Sequence, residues 1–271
     1  VLCVAGGSGA ALVARVLADL GLSPDDLDPS LAQRLLVRPA HSSVEPVDLA
    51  HPLIRDAILL VAGPVEVRAM HRRAARCAEQ LGLAPSVVIA QLEAGASPGD
   101  REAISELLAQ ADRALADELG EPAAHALLAA ASLTLETKER SQLAARAARV
   151  LLDSSLGMAD AERILELVDM GALGPQERLT VEWLRTEQLS LVSLSQHHPA
   201  VEVAVAHAIE LDSPETPRML WSAVNAACAV EDGRSAIRHA TSLLAWADRA
   251  DGEHSGRFPA WACRAVHAAT L

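Results

Sequence analysis

HPLIRDAILLVAGPVEVRAMHRRAARCAEQLG, residues 51–82, holds two apolar-periodic runs, each introduced by a proline. Pro52 and Pro64 sit where a helix begins, because proline's fixed φ suits the first turn and its missing N–H is not needed there. Gly63 and Gly82 follow the two runs, at the place past a helix C-terminus where a left-handed residue is usual. The spacing predicts two consecutive helices. On their left lie turns and short β-like runs, and on their right lies almost unbroken alanine-rich helix. The stretch is a junction between two architectures, and function turns on what it couples.

Composition narrows the choices on both sides. The chain has 271 residues and a net charge of −13. Residues 1–82 carry 8 basic and 9 acidic side chains, while residues 83–271 carry 15 and 27. Lys138 is the sole lysine. An acidic chain argues against broad, non-specific contact with nucleic acid, which needs several phosphate-neutralising cations on one face. One residue in five is alanine, tyrosine is absent and Phe258 is the only phenylalanine, a balance that favours helix over strand. Cys3, Cys77, Cys228 and Cys263 show no C-x-x-C spacing and read as buried, reduced thiols of a cytoplasmic protein. No apolar run approaches the roughly 20 residues of a spanning helix. The chain starts in an apolar run at Val1 and stops within a helical pattern at Leu271, so a segment of a longer protein is expected.

Left of the junction, Val1–Ala5, Gly6-Gly7-Ser8-Gly9 and a helical pattern over Ala10–Leu20 suggest strand, glycine loop and helix. The dinucleotide fingerprint is met only in part, since Leu12 stands at the third glycine position. A phosphate loop of the GK[ST] kind is missing. An ordinary turn between helices is the better reading, with a nucleotide-using enzyme as the weakest of three hypotheses. A second helix is expected over Pro29–Leu36. Leu35–Arg38 and Pro46–Leu49 then read as the strands of a hairpin around the polar loop Ala40–Glu45. Helix, helix, hairpin, helix is the order of a winged helix. Asp25, Asp26 and Asp28 at the start of its second helix, against a single Arg34, disfavour DNA contact there.

Right of the junction, helices are expected over Pro85–Glu93, Pro98–Leu119, Pro122–Leu133, Glu136–Ser155, Met158–Met170, Pro175–Leu194, Pro199–Leu211, Pro214–Glu231, Arg234–Arg249 and from Gly256 onward. The longer members start near 98, 136, 175, 214 and 256, a period of roughly 40 residues that marks a helical-repeat array. Gly120, Gly157 and Gly233 each open the second helix of a hairpin. The fold class is therefore mainly α: a small winged-helix unit with its linker helices over residues 1–82, then a tetratricopeptide-like solenoid of helical hairpins over residues 83–271. Hairpins that cannot bury their own apolar faces stack into a continuous core and leave a curved binding surface. Trp183, Trp221, Trp246 and Trp261 read as packing between layers.

Metal signatures are absent from the sequence: there is no HExxH and no Cys/His cluster at metal spacing. His197-His198 reads as a solvated pair in a turn before Pro199, and the carboxylates read as solvated helix faces. No catalytic residue stands out. Arg68, Arg72 and Arg76 recur at i, i+4 and i+8 with Arg73 beside them, a stripe on one helix face. It reads as a solvated face or as a contact to an acidic or nucleotide-bearing neighbour.

His51-Pro52-Leu53-Ile54-Arg55-Asp56-Ala57, followed by Arg68-x-x-His71-Arg72-Arg73-Ala74-Ala75, resembles the linker region of large ATP-binding regulators of the LuxR family, bacterial transcription regulators of the STAND class. Pro122–Ala131 resembles the first hairpin of that family's sensor repeats. The likeness covers about residues 1–170, and beyond them only a helical-repeat pattern. It implies a nucleotide-binding domain upstream and a helix-turn-helix downstream, neither of them in this chain. It also implies that repeats sense an inducer or a partner protein, that ATP or ADP serves the full-length protein with no cofactor in this segment, and that DNA is reached only through the downstream domain. In related STAND proteins a histidine after the winged-helix hairpin touches the phosphates of bound ADP, and His51 occupies a similar place. Here the triplet is Ala50-His51-Pro52, whereas the better-known form is Met-His-Asp. His51 is thus expected either as a phosphate contact or as a cap and packing residue. Pro52, Leu53, Arg55, His71, Arg72 and Arg73 are the junction's remaining candidate residues. The alternative in another class is a free-standing helical-repeat adaptor.

Overall fold

The computed structural model describes residues 10–23, 26, 36–37, 48–49, 51–154 and 161–249. Among them are eleven α-helices and one short antiparallel pairing. The helices are α1 Ala10–Asp19, α2 Pro52–Gln80, α3 Pro85–Gly95, α4 Arg101–Ala116, α5 Gly120–Leu133, α6 Thr137–Ser154 and α7 Ala161–Leu167. A 3-10 turn at Met170–Ala172 precedes α8 Pro175–Val192, α9 Leu194–Glu210, α10 Thr216–Ala229 and α11 Gly233–Arg249. β1 Leu36–Val37 and β2 Asp48–Leu49 pair Leu36 with Leu49 and Val37 with Asp48, at the centre of the expected hairpin. The glycine loop 6–9, the hairpin loop 40–45, Gly157 and the segment from 256 with Trp261 lie outside the described residues, as does the helix expected over Pro29–Leu36 except for Leu36, which is in β1.

The chain divides into two compact units, Val1–Leu143 and Ala144–Leu271. The division falls within α6 and not at the composition change near Gly82, because α2 packs closely on α3. In the first unit α1 buries Leu12, Val13, Val16 and Leu17, a single helical face, and packs on α2. The facing side of α2 is made of small residues, Ala74, Ala75, Cys77 and Ala78, all at most 2 % exposed. Small side chains let helix axes approach, so an alanine-rich core loses nothing for want of aromatic residues. α5 is buried almost all round, from Ala123 to Ala131, and packs on both α3 and α4. In the second unit consecutive helices pair in order, α8 on α9, α9 on α10 and α10 on α11. Leu179, Leu184, Val201, Val205, Leu220, Val224 and Leu243 are among its buried apolar side chains.

Most expected boundaries hold within three residues, and the differences have local causes. α4 starts at Arg101 because Asp100 caps it, its carboxylate accepting from Ala103 N–H at 3.2 Å. α9 starts at Leu194, so Pro199 lies inside a helix it was expected to open. Gly82, expected past the second junction helix, is left-handed at φ 62°, and Gly21 after α1 is so at φ 73°. After α4, α9 and α10 the same left-handed position is held by Glu118, Asp212 and Glu231, at φ 58°, 47° and 60°. The closing bonds form all the same, such as Asp232 N–H to Ala227 O at 2.9 Å. A side chain in this conformation costs about 1–2 kcal/mol, and a carboxylate at the negative end of a helix adds repulsion. Offset by the freedom glycine gives the unfolded chain, Glu231→Gly should raise stability by about 0.5–1 kcal/mol. Thermal denaturation checks this, and an unchanged midpoint would refute it.

Candidate functional site

α2 is one helix with a break. Gly63, at φ 77° and ψ 162°, interrupts it, a conformation open essentially to glycine alone. The extended ψ is what the following Pro64 demands, so Pro64 opens the second half as the sequence implies. The first half exposes its apolar side chains: Leu53, Leu60 and Val61 are 68, 84 and 88 % exposed. Arg55 is exposed as well.

His51 is the N-cap of α2. Its backbone is extended, at φ −154° and ψ 142°, and its Nδ1 accepts from Leu53 N–H at 3.1 Å. A helix start ordinarily offers an anion several free N–H groups. Here Pro52 has none, Leu53 N–H is taken by the imidazole and Ile54 N–H bonds back to His51 O at 3.0 Å. The tautomer that accepts at Nδ1 carries its proton on Nε2. That Nε2–H, on an exposed side chain, is the donor left for an anion.

His71, Arg72 and Arg73 between them reach three other helices. His71 Nδ1 lies 2.8 Å from Gln91 Oε1 on α3. Arg72 donates from Nε to Gly95 O at the end of α3, at 3.0 Å, and pairs with Asp100, the cap of α4. Arg73 Nε stands 2.9 Å from Asp19 Oδ2 at the end of α1. Ala74 and Ala75 pack beneath them. The motif therefore ties α2 to α1, α3 and α4, and the sequence alone could not name those distant partners.

Along the outward face of α2, Arg68, Arg72, Arg73 and Arg76 line a groove of about 690 Å3, with Val65, Glu66, Ala69, Met70 and Ser97. A second cavity of about 470 Å3 is lined by Ile104, Leu108 and Leu135 together with Arg101, Ser105, Thr134, Glu136 and Glu139. Its walls are part apolar and part charged.

In the second unit the histidine pair differs from its sequence reading. His197 and His198 lie in the first turns of α9. His197 is 5 % exposed, and neither ring nitrogen has a hydrogen-bond partner. Burial holds its pKa below the ordinary 6.5, the proximity of His198 lowers it further, and Glu187 opposes both. His198 Nε2 is 3.7 Å from Glu202 Oε1, which also meets His239 Nε2 at 2.7 Å and Arg238 Nη2 at 2.6 Å. The histidines and Arg238 hold the Glu202 carboxyl below its usual range against the opposing effect of burial. With the Glu202 carboxylate at its centre and the Arg238 guanidinium beside it, the cluster is a structural ion-pair network. Among the described residues no group of three metal-ligating side chains is placed to hold an ion, and no helix is long and apolar enough to cross a membrane. Cys77 is buried, as expected of a structural thiol, but Cys228 is exposed. Trp183 is 5 % exposed, donates to Glu187 at 2.7 Å and carries Arg218 over its ring at 5.3 Å, which is a packing role.

Compared with known proteins, the chain matches no family model, no curated protein and no solved structure.

Proposed function

We propose that the chain is the central sensor and relay segment of an ATP-dependent LuxR-type regulator of the STAND class. In this reading the paired β1 and β2 belong to a winged helix that contacts an upstream nucleotide-binding domain. The helices beyond α2 form a tetratricopeptide-like solenoid that takes an inducer or a partner protein. DNA is bound only by a downstream helix-turn-helix, and this segment catalyses nothing. The observation that carries the reading is the first half of α2: an apolar, exposed helix face, directly after the β pairing and capped by His51. Exposed apolar helix faces of this kind are covered by another body, and the nucleotide-binding domain is the body the resemblance supplies. The cavity beside α4 is the proposed inducer site. Coupling then requires two states of α2, each favoured by one ligand.

Two variants separate the roles of His51 in the full-length protein. Serine caps a helix about as well as any residue, so His51→Ser keeps the cap and removes Nε2–H. His51→Ala and His51→Ser are both expected to weaken ADP retention and raise basal transcription. ADP affinity unchanged in both would remove the phosphate contact, and a loss confined to alanine would leave only the cap. The second reading, a free-standing helical-repeat adaptor, is favoured by the internal use of His71, Arg72 and Arg73. A GxxxxGK[ST] strand–loop–helix encoded upstream and a helix-turn-helix downstream would decide against it.

A further inference from the structure

The groove along the second half of α2 is a concentration of positive charge on an acidic protein. Half of the eight basic residues of the first 82 fall between 68 and 76, and all four line one groove. Val65, Arg68, Ala69, Arg72 and Arg76 follow one another at helical spacing, opposite the buried Ala74 and Ala78. Arg72 and Arg73 are tied to Asp100 and Asp19. Arg68 and Arg76 form no ion pair with any described residue, although Glu106 lies near enough to Arg76 to feel its charge. Glu66 is the one acidic side chain in the lining.

We propose that this groove docks an acidic amphipathic helix from a partner domain or protein. The geometry favours a helix over a phosphate compound. Arg68, Arg72 and Arg76 are one helical turn apart, so the row repeats about every 6 Å and runs about 12 Å. Carboxylates at i, i+4 and i+8 of a second helix repeat at the same interval and can face the row in register, as charged rows of paired helices do. A phosphate chain is much shorter and has no use for the apolar part of the lining. Val65, Ala69 and Met70 give that part, and Val65 is 70 % exposed at its end. The residues the groove offers without structural cost are Arg68 and Arg76, at the two ends of the row. The inference rests on the arginine row and not on the regulator reading of the chain.

The test uses the 271-residue chain and a labelled synthetic peptide with glutamate at i, i+4 and i+8 and leucine on the adjoining face. Fluorescence anisotropy at 50 mM salt should show saturable binding that weakens as salt rises. Arg68→Ala with Arg76→Ala should weaken it at least tenfold with the melting temperature unchanged. Arg140→Ala with Arg178→Ala, the same change of charge elsewhere, should weaken it less than twofold. Absence of binding, an equal loss in the two double variants, or equal affinity for a scrambled peptide of the same composition would each overturn the proposal. Tighter binding of tripolyphosphate than of the peptide would overturn it in favour of a phosphate ligand. None of these outcomes depends on ADP or on His51, so the docking surface and the regulator reading stand or fall separately.

Discussion

Replacing Gly95 with alanine is expected to destabilise the first unit by about 2 kcal/mol, against the direction that helix propensity alone would give. Gly95 is the last residue of α3, where alanine is intrinsically better by about 1 kcal/mol. Its surroundings decide the sign. A Cβ there would stand 2.9 Å from Arg72 Cγ, 3.0 Å from Arg72 N and 3.2 Å from Arg68 O. Two of these are main-chain atoms of α2 and the third is the root of a side chain, so none can swing away. α3 would have to withdraw, at an overpacking cost of about 1–3 kcal/mol. The withdrawal also loosens the bonds that cross the same seam, Arg72 Nε to Gly95 O and His71 to Gln91. A charge-assisted bond of this kind is worth about 1.5–3 kcal/mol, reduced here because Arg72 is partly exposed. A melting temperature lower by roughly 5–10 °C follows for a unit of this size. Gly233→Ala is the control: nothing lies within 4 Å of its Cβ position at the start of α11, so it should be neutral or stabilising. Circular dichroism melts of the two variants give the answer, and a stabilised Gly95→Ala would mean that the α2–α3 seam is looser than its geometry.

The same seam shows which parts of the molecule the sequence carries. Apolar periodicity, with proline before a run and glycine after it, is local information and places α2 through α11 closely. The strand pairing is local as well, since β1 and β2 lie within the two runs expected as hairpin strands, 35–38 and 46–49. Partners are another matter. Gln91, Gly95, Asp100 and Asp19 meet the His71-Arg72-Arg73 motif from sites 20 to 54 residues away, and no spacing rule reaches that far. The junction motif was visible; that its histidine and arginines are held by contacts to three other helices was not. Acidic residues at left-handed helix ends escaped for the opposite reason: the sequence rule names glycine, while the closing main-chain bonds at Glu118 and Glu231 outweigh the strain of a side chain. Pro199 misled in the same way. α9 begins at Leu194, five residues ahead of it, so the proline stands inside the helix and His197 is carried into the interior.

That displacement makes His197 the second site where a large effect is expected. A buried imidazole with neither nitrogen bonded forfeits its hydration without compensation, a cost of about 1–3 kcal/mol. Glu187, whose charge acts on it, is already bonded by Trp183 Nε1 at 2.7 Å and Ser222 Oγ at 2.8 Å. Leucine at this position keeps the bulk and removes the polar atoms, so His197→Leu should stabilise the second unit by about 1 kcal/mol at pH 8. The pH dependence follows from the sign of the shift. Burial lowers the folded pKa below the ordinary 6.5, so on acidification the unfolded chain takes the proton first. The contribution of His197 is therefore complete above about pH 6.5 and is lost as pH falls below it, until the folded protein also binds the proton. The advantage of His197→Leu should accordingly grow between pH 6.5 and pH 5. Other ionisable groups are common to both proteins and largely cancel in the difference. Urea titrations followed by hydrogen exchange in α9 and α10 would measure it. A difference that stays constant with pH would mean that the imidazole is hydrated in solution, and a destabilised variant would mean that its shape, and not its missing hydrogen bonds, dominates the site.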